Sequence, residues 1–441
     1  MADVIQSLPK GTINQLQKKI LFTLGFLALY RIGVHIPIPG VDTDALGSFF
    51  KGQGGNLLGM FNMFSGGALE RFSIFALGVM PYISASIIAQ LLTVVVPALD
   101  QLQKEGEAGR RKINQYTRYA TVVLAIIQGY LIANTLAGNS FNGSPIVPDA
   151  GFGWKMLTVI SLAAGTSFVM WLGEQITERG VGNGISLIIF SGIIAGLPRV
   201  IGNTYSQYNN QEMDLFRIVL LLAIVVVVIA GVVFIEQGAR QVPVQYAKRQ
   251  VGRKTFAGQN SHLPIRINSA GVIPPIFASS LLQFPVTIAS VAPHSKFAEI
   301  LGGVFVPGGW LYETIFVSLI IFFAFFYTSI QFKADDIAEN LKKHGGFVPG
   351  IRPGARTAEF LQKVVNRLTL VGAFYMSAIC VLPAVLAGRF NVQFYFGGTS
   401  LLIVVGTALE TFRQIEAHRQ SLRYEGFLKQ GSGKRKLPLP R

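Results

Sequence analysis

The chain has 441 residues, 51% of them apolar, with 48 glycines and only 14% charged residues. Soluble domains carry roughly 25% charge and could not cover their surface with so little, and a disordered chain would be far less hydrophobic. The formal charge of +16 therefore reads first as a topology signal of a membrane protein and second as a sign of nucleic-acid contact.

From the N-terminus, apolar runs that could cross a bilayer lie near Ile20–Ile38, Ser73–Val96, Tyr119–Leu136, Met156–Gly173, Ile185–Ile201, Leu215–Ile235, Val272–Ile288, Tyr312–Ile330, Leu368–Leu386 and Ser400–Phe412. The fifth, seventh and tenth are short for a span. None alternates with period two, so helices are expected rather than a barrel. Met1 to Lys19 is polar and no small-residue cleavage site follows the first run, so no cleavable signal peptide is expected. The expected fold class is an all-α polytopic membrane protein with ten transmembrane helices.

The basic residues orient it. With the N-terminus in the cytoplasm, 30 of the 38 Lys and Arg fall inside: Lys10 to Lys19, Lys104 to Arg118, Arg179, Arg240 to Arg266, Lys333 to Arg367 and Arg413 to Arg441. The positive-inside rule is satisfied, and both termini are cytoplasmic. No span carries Asp, Glu, Lys or Arg at its centre; Arg31 lies near the outer end of the first and Glu410 near the inner end of the last. Ion-coupled transporters usually place ionisable groups at the midplane, which counts against a solute transporter, although amides and backbone also bind ions. An intramembrane enzyme would need a catalytic pair, and no span holds paired Asp or a Ser/His set.

Two stretches repeat. Gly78-Val-Met-Pro-Tyr-Ile-Ser-Ala-Ser86 and Gly271-Val-Ile-Pro-Pro-Ile-Phe-Ala-Ser279 match at Gly, Val, Pro, Ile, Ala and Ser, with an offset of 193 residues. The match pairs the second span with the seventh, five apart, so two five-helix halves, 1–200 and 201–441, would be inverted relative to each other. Pathways in such proteins lie at the repeat interface, which makes the matched Ile83 and Ile276 candidates for lining one; chance similarity of two kinked apolar helices is the bland alternative.

Between the first two spans, Arg31-Ile-Gly-Val-His-Ile-Pro-Ile-Pro-Gly40 ends a helix sharply. A Gly-rich stretch, Gly52 to Gly67, then encloses Asn56-Leu-Leu-Gly-Met-Phe-Asn-Met-Phe64. That apolar run is too short to span and reads as re-entrant, interfacial, or an outer loop with a helical turn. Two large basic loops follow later. Gln237 to Ile267 contains two runs suggesting a small β-hairpin, and Lys333 to Arg367 carries Arg352 in Gly-Ile-Arg-Pro-Gly. By themselves such loops serve topology or contact anionic lipid. The lone Cys380 reads as core packing and excludes an intrachain disulfide. The five His have no metal spacing and no Walker-type loop is present, so no metal or cofactor is expected.

Motifs along nearly the whole chain resemble the SecY/Sec61-alpha family of protein-translocation channels. They include Phe64-Ser-Gly-Gly-Ala-Leu69, Leu77-Gly-Val-Met-Pro-Tyr-Ile-Ser-Ala-Ser-Ile-Ile88, Lys104-Glu-Gly-Glu-Ala-Gly-Arg-Arg-Lys-Ile113 and Trp171-Leu-Gly-Glu-Gln-Ile-Thr-Glu-Arg-Gly180. Val181-Gly-Asn-Gly-Ile-Ser186, Asn268-Ser-Ala-Gly-Val-Ile-Pro-Pro-Ile-Phe277, Pro349-Gly-Ile-Arg-Pro-Gly354 and Gly397-Gly-Thr-Ser-Leu-Leu-Ile403 continue them. The resemblance implies a hydrophobic pore ring at Val79, Ile83, Ile185, Ile189, Ile276 and Ile403, with Val79 smaller than the family's usual Ile. It implies a plug at about 57–67, with Leu57, Leu58, Met60, Phe61 and Phe64. A lateral gate between the second and third spans on one side and the seventh and eighth on the other has Gln90, Gln128 and Asn268 as candidate contacts; ordinary interhelical bonding is the alternative for these amides. It implies docking of a ribosome and of the SecA motor at Arg249, Arg253, Lys254 and Arg352. The remaining expected partners are the small subunits SecE and SecG, signal sequences and nascent chains, and membrane lipid, in a cell inner membrane rather than a thylakoid.

Overall fold

The computed structural model describes residues 10–43, 45–47, 62, 65–138, 140–141, 144–211, 214–246, 249–251, 254–256, 260–291, 309–390 and 398–432. Each expected span overlaps a helix. In chain order these are α1 (Lys10–Gly33), α2 (Met80–Val95), α4 (Glu107–Gly138), α5 (Phe152–Arg179), α6 (Gly184–Asn209), α7 (Leu215–Gln237), α8 (Ile273–Val291), α9 (Trp310–Gln331), α11 (Ala355–Phe390) and α12 (Gly398–Ser432). Two shorter helices join them, α3 (Pro97–Lys104) and α10 (Ala334–Lys343). Among the described residues six helices are long and apolar enough to cross a membrane, seven if the bent pair α2–α3 is one span. The chain is a multi-pass helical membrane protein. It divides into two compact units, Met1–Ile201 with Thr407–Arg441, and Gly202–Gly406.

In the first unit, α4 packs on α5 and α2, and α5 packs on α1. The row Thr117, Thr121, Ala125, Gly129 and Ala133 is buried along α4. Small residues at every fourth position let helices approach closely where lipid supplies no hydrophobic drive. Pro97 sets the sharp break after α2: Val96 before it is extended, as a residue preceding proline prefers, and α3 leaves at 98°.

The structure corrects the second expected span. Ser73 to Val79 is not helical; α2 begins only at Met80. The first span is likewise shorter than expected, since Ile36 and Ile38 leave α1 and bond Ile74 and Phe72 across a Pro37–Ser73 bridge. From the bridge the chain runs on in tight turns to Val79, buried against α5, where the Ile74 carbonyl lies so near Gly165 that a Cβ there would sit 1.9 Å from it. Apolarity alone marked the stretch, because burial by neighbouring backbone demands the same residues as burial in a span.

The second unit stacks α8 on α9 and α9 on α11. Phe277 meets the edges of Phe323 and Tyr327. Helix α7 is apolar on all sides and leaves most residues uncovered, with Val232 and Glu236 buried.

At one end of this unit the two basic loops fold together. Strand β3 (Ala239–Tyr246) pairs antiparallel with β6 (Asn260–Arg266), and β7 (Gly346–Phe347) adds to the other side of β3. Beyond them β4 (Arg249–Val251) pairs with β5 (Lys254–Phe256). A two-stranded pair, β1 (Ser140–Phe141) with β2 (Ser144–Pro145), lies in the first unit. Val242 and Ile265 of the sheet share a core with Ala334, Val348, Leu361, Val364 and Val365. The second loop is thus helix, strand and turn, and α11 begins more than a dozen residues before the apolar run that predicted it. Helix α10 has Asp335 and Asp336 in its first turn and Lys342 and Lys343 in its last, complementing its dipole.

Candidate functional site

The repeated motifs adopt the same local structure. Gly78 and Gly271 both have positive φ, 54° and 63°, a conformation glycine takes without the Cβ penalty of other residues. Two residues on, α2 and α8 begin, each with proline in the first turn, where its missing N–H costs nothing. Ile83 and Ile276 fall at the same helical position, four residues into each helix.

In the first unit Val79, Ile83 and Ile189 are buried, at 3%, 6% and 2% exposure, and Ile185 is half-buried. Ile185 and Ile189 lie one turn apart on α6, held close to α5 by Gly173 and Gly184: a Cβ at Gly184 would come within 1.9 Å of the Gly173 carbonyl. In the second unit Ile276 and Ile403 are buried. Gly406, one turn beyond Ile403, lies against Val272, the repeat counterpart of Val79. Each unit therefore buries uncharged aliphatic side chains at the start of the helix that follows its glycine turn.

The three candidate amides differ. Asn268 is buried and donates from Nδ2 to Glu236 Oε1 at 2.5 Å and to the Gly271 carbonyl at 3.0 Å, bracing the turn into α8. Gln90 donates to Ser86 Oγ at 3.3 Å. The Gln90 and Gln128 side-chain oxygens are buried without a partner.

Of the basic candidates, Arg352 is exposed in the turn between β7 and α11, where its carbonyl accepts the Thr357 hydroxyl at 3.0 Å. Its neighbour Ile351 packs against the core of the sheet. Arg249 and Lys254 stand at the ends of the β4–β5 pair. Arg253 and the plug candidates Leu57, Leu58, Met60, Phe61 and Phe64 lie outside the described residues.

Two polar groupings escaped the sequence reading. Glu236 is one. The other joins Glu70 to Arg199 of α6, with Arg199 Nη1 on Glu70 Oε2 at 2.5 Å and Nη2 on Oε1 at 2.8 Å. Asn62 also donates to Glu70 Oε2 and accepts from its backbone N–H. Burial alone would raise the Glu70 carboxyl. The hydrogen bonds from Arg199 and Asn62, with the charges of Arg199 and Arg71, outweigh it and hold the group below the ordinary carboxylate range. Partners 129 residues apart leave no spacing by which one sequence could announce them.

A family model described as SecY matches residues 73–412. The protein translocase subunit SecY of Escherichia coli strain K12 is 50% identical over 426 residues, covering 96% of each chain. A solved protein-conducting channel superposes with a TM-score of 0.67 at 16% identity, covering 94% of this chain and 95% of its own. Sec61 from a canine ribosome–channel complex of the endoplasmic reticulum gives 0.64 at 16% identity, with the same coverage.

Proposed function

This chain belongs to the SecY family, and from that premise we propose that it is the pore-forming subunit of a protein-translocation channel. It passes unfolded secretory polypeptides across the membrane and releases transmembrane segments sideways into lipid. The observation that carries the reading is the duplicated glycine turn followed by a helix whose first turn buries an isoleucine, once in each unit. Uncharged aliphatic side chains suit this work. A narrow constriction of Val79, Ile83, Ile185, Ile189, Ile276 and Ile403 dewets against ions, yet makes no polar bond that would hold a passing chain.

In this reading Gln90, Gln128 and Asn268 tune the lateral gate, and residues 57–67 form the plug. The membrane is the cell's inner membrane, with both termini and both basic loops on the cytoplasmic side. Arg249, Arg253, Lys254 and Arg352 then meet a ribosome, whose phosphates basic side chains contact without reading sequence, or the SecA motor. SecE and SecG complete the channel. The chain carries no phosphate-binding loop of the Walker type, so this channel subunit is not itself an enzyme and the driving energy comes from its partners.

The test places a cysteine at Ile83→Cys or Ile276→Cys after Cys380→Ser clears the background. A stalled secretory chain is expected to crosslink at both positions and not at lipid-facing controls such as Phe234→Cys, where the side chain is 82% exposed. Crosslinks at the controls but at neither isoleucine would overturn the channel reading.

A further inference from the structure

The first unit contains a polar junction that the channel reading leaves unused. The turns running from Ser65 to the bridge at Ser73 are held from two sides. From α1, Tyr30 donates its hydroxyl to the Ser65 carbonyl and Arg31 donates Nη1 to the Gly66 carbonyl, both at 3.1 Å. From α6, Arg199 grips the Glu70 carboxylate with two bonds. Gly66 lies against Gly192 of α6 so closely that a Cβ would come within 2.7 Å of the Gly192 Cα. Gly192 is one turn from Ile189, and the turn feeds directly through Ser73–Val79 into α2.

The consequence is mechanical. Val79 and Ile83 are carried by α2, and Ile185 and Ile189 by α6. The covalent path from α2 to α6 runs through all of α4 and α5. The short path is Glu70 to Arg199, across which the entry to α2 is tied directly to α6. A bidentate guanidinium–carboxylate pair fixes orientation as well as distance. The Glu70 side chain is 15% exposed and that of Arg199 52%, so the chain covers the pair from one side and leaves the other open.

We propose that Glu70 and Arg199 are positioning residues of the channel. Their pairing sets the spacing between the aliphatic side chains on α2 and those on α6, and so sets how readily the resting channel conducts ions and admits weakly hydrophobic signal sequences. Asn62 orients the carboxylate for that pairing. Arg71 sits near the carboxylate but is turned toward His35, with Nη1 to Nε2 at 2.6 Å. The proposal rests on the channel reading.

The experiment uses the full chain with its partner subunits in membranes. It compares Glu70→Gln, Arg199→Gln and the exchange Glu70→Arg with Arg199→Glu. Three readouts are taken: resting ion conductance, export of a preprotein with an intact signal, and export of one with a weakened signal. The single variants are expected to raise resting conductance and weak-signal export several-fold while intact-signal export persists. The exchange is expected to return both toward the parent values, which a merely structural loss at either position would not produce.

A gentler substitution supplies a second measurement. Arg199→Lys keeps the charge and loses the two-pronged grip, so its resting leak should lie between those of the parent and Arg199→Gln. Parent-like single variants, or singles that leak without rescue by the exchange, overturn the proposal while normal parental export leaves the channel reading standing. If the Gln variants do not accumulate, a parental resting leak in Arg199→Lys overturns it equally. A parent that passes no polypeptide in these membranes overturns the channel reading instead.

Discussion

At the scale of single residues, close approach decides more than polarity does. Gly173 and Gly184 bring α5 and α6 together where Ile185 leaves the turn, and the two backbones leave no room for a methyl group. Gly184→Ala must push its Cβ against the Gly173 carbonyl, a backbone atom that cannot swing away. Overpacking of this kind costs about 1–3 kcal/mol. The variant is expected to melt at lower temperature in detergent and to shift Ile185 and Ile189 together. Gly153→Ala, within α5 and with nothing within 4 Å of the added carbon, is expected to melt no lower than the parent; equal melting of the two variants would remove the close-packing argument. Asn268 belongs to the same scale. Its amide is a candidate gate contact, and the bonds it makes in the second unit, to Glu236 and to the Gly271 carbonyl, brace the turn on which Ile276 depends.

At the scale of elements, the hydrophobic signal was legible wherever the burying medium and the helix coincide. The apolar runs at Leu215 and Tyr312 fall on α7 and α9 almost to the residue. The signal failed in two physical situations. Helices α4 and α11 continue far past their apolar runs as polar helix, for which length in lipid offers no cue. Ser73–Val79 is apolar yet a run of tight turns rather than helix, because it is buried by other chain segments. The pairing of the two basic loops was also hidden. A hairpin between residues 237 and 267 was foreseeable, but β7 joins β3 from about a hundred residues away. The shared core makes a prediction of its own. Leu361, fully buried, faces the sheet from α11, and Leu361→Ala should cost about 2–5 kcal/mol locally. Limited proteolysis is expected to cut the 239–266 region faster in this variant while the spans stay protected; unchanged cutting would show that the sheet stands without α11.

At the scale of the whole molecule, the low charge content is an arrangement rather than a shortage. The aliphatic candidates for the ring carry no charge, whereas the basic residues gather in loops and tail. If partners dock on those loops as proposed, the stiffness of the loops and their charge have separable effects. Leu361→Ala loosens the platform itself. Arg352→Glu does not, because an exposed side chain away from the core changes stability by no more than about 0.5 kcal/mol. Reversing that charge is instead expected to weaken motor-driven export roughly tenfold at low salt, the equivalent of about 1.4 kcal/mol of partner binding. The deficit should narrow as salt rises, since screening weakens the parent's attraction as well. Membrane integration and melting temperature of Arg352→Glu should match the parent. Export at the parental rate at low salt would strike Arg352 from the docking surface, and a lowered melting temperature would reassign it to the fold.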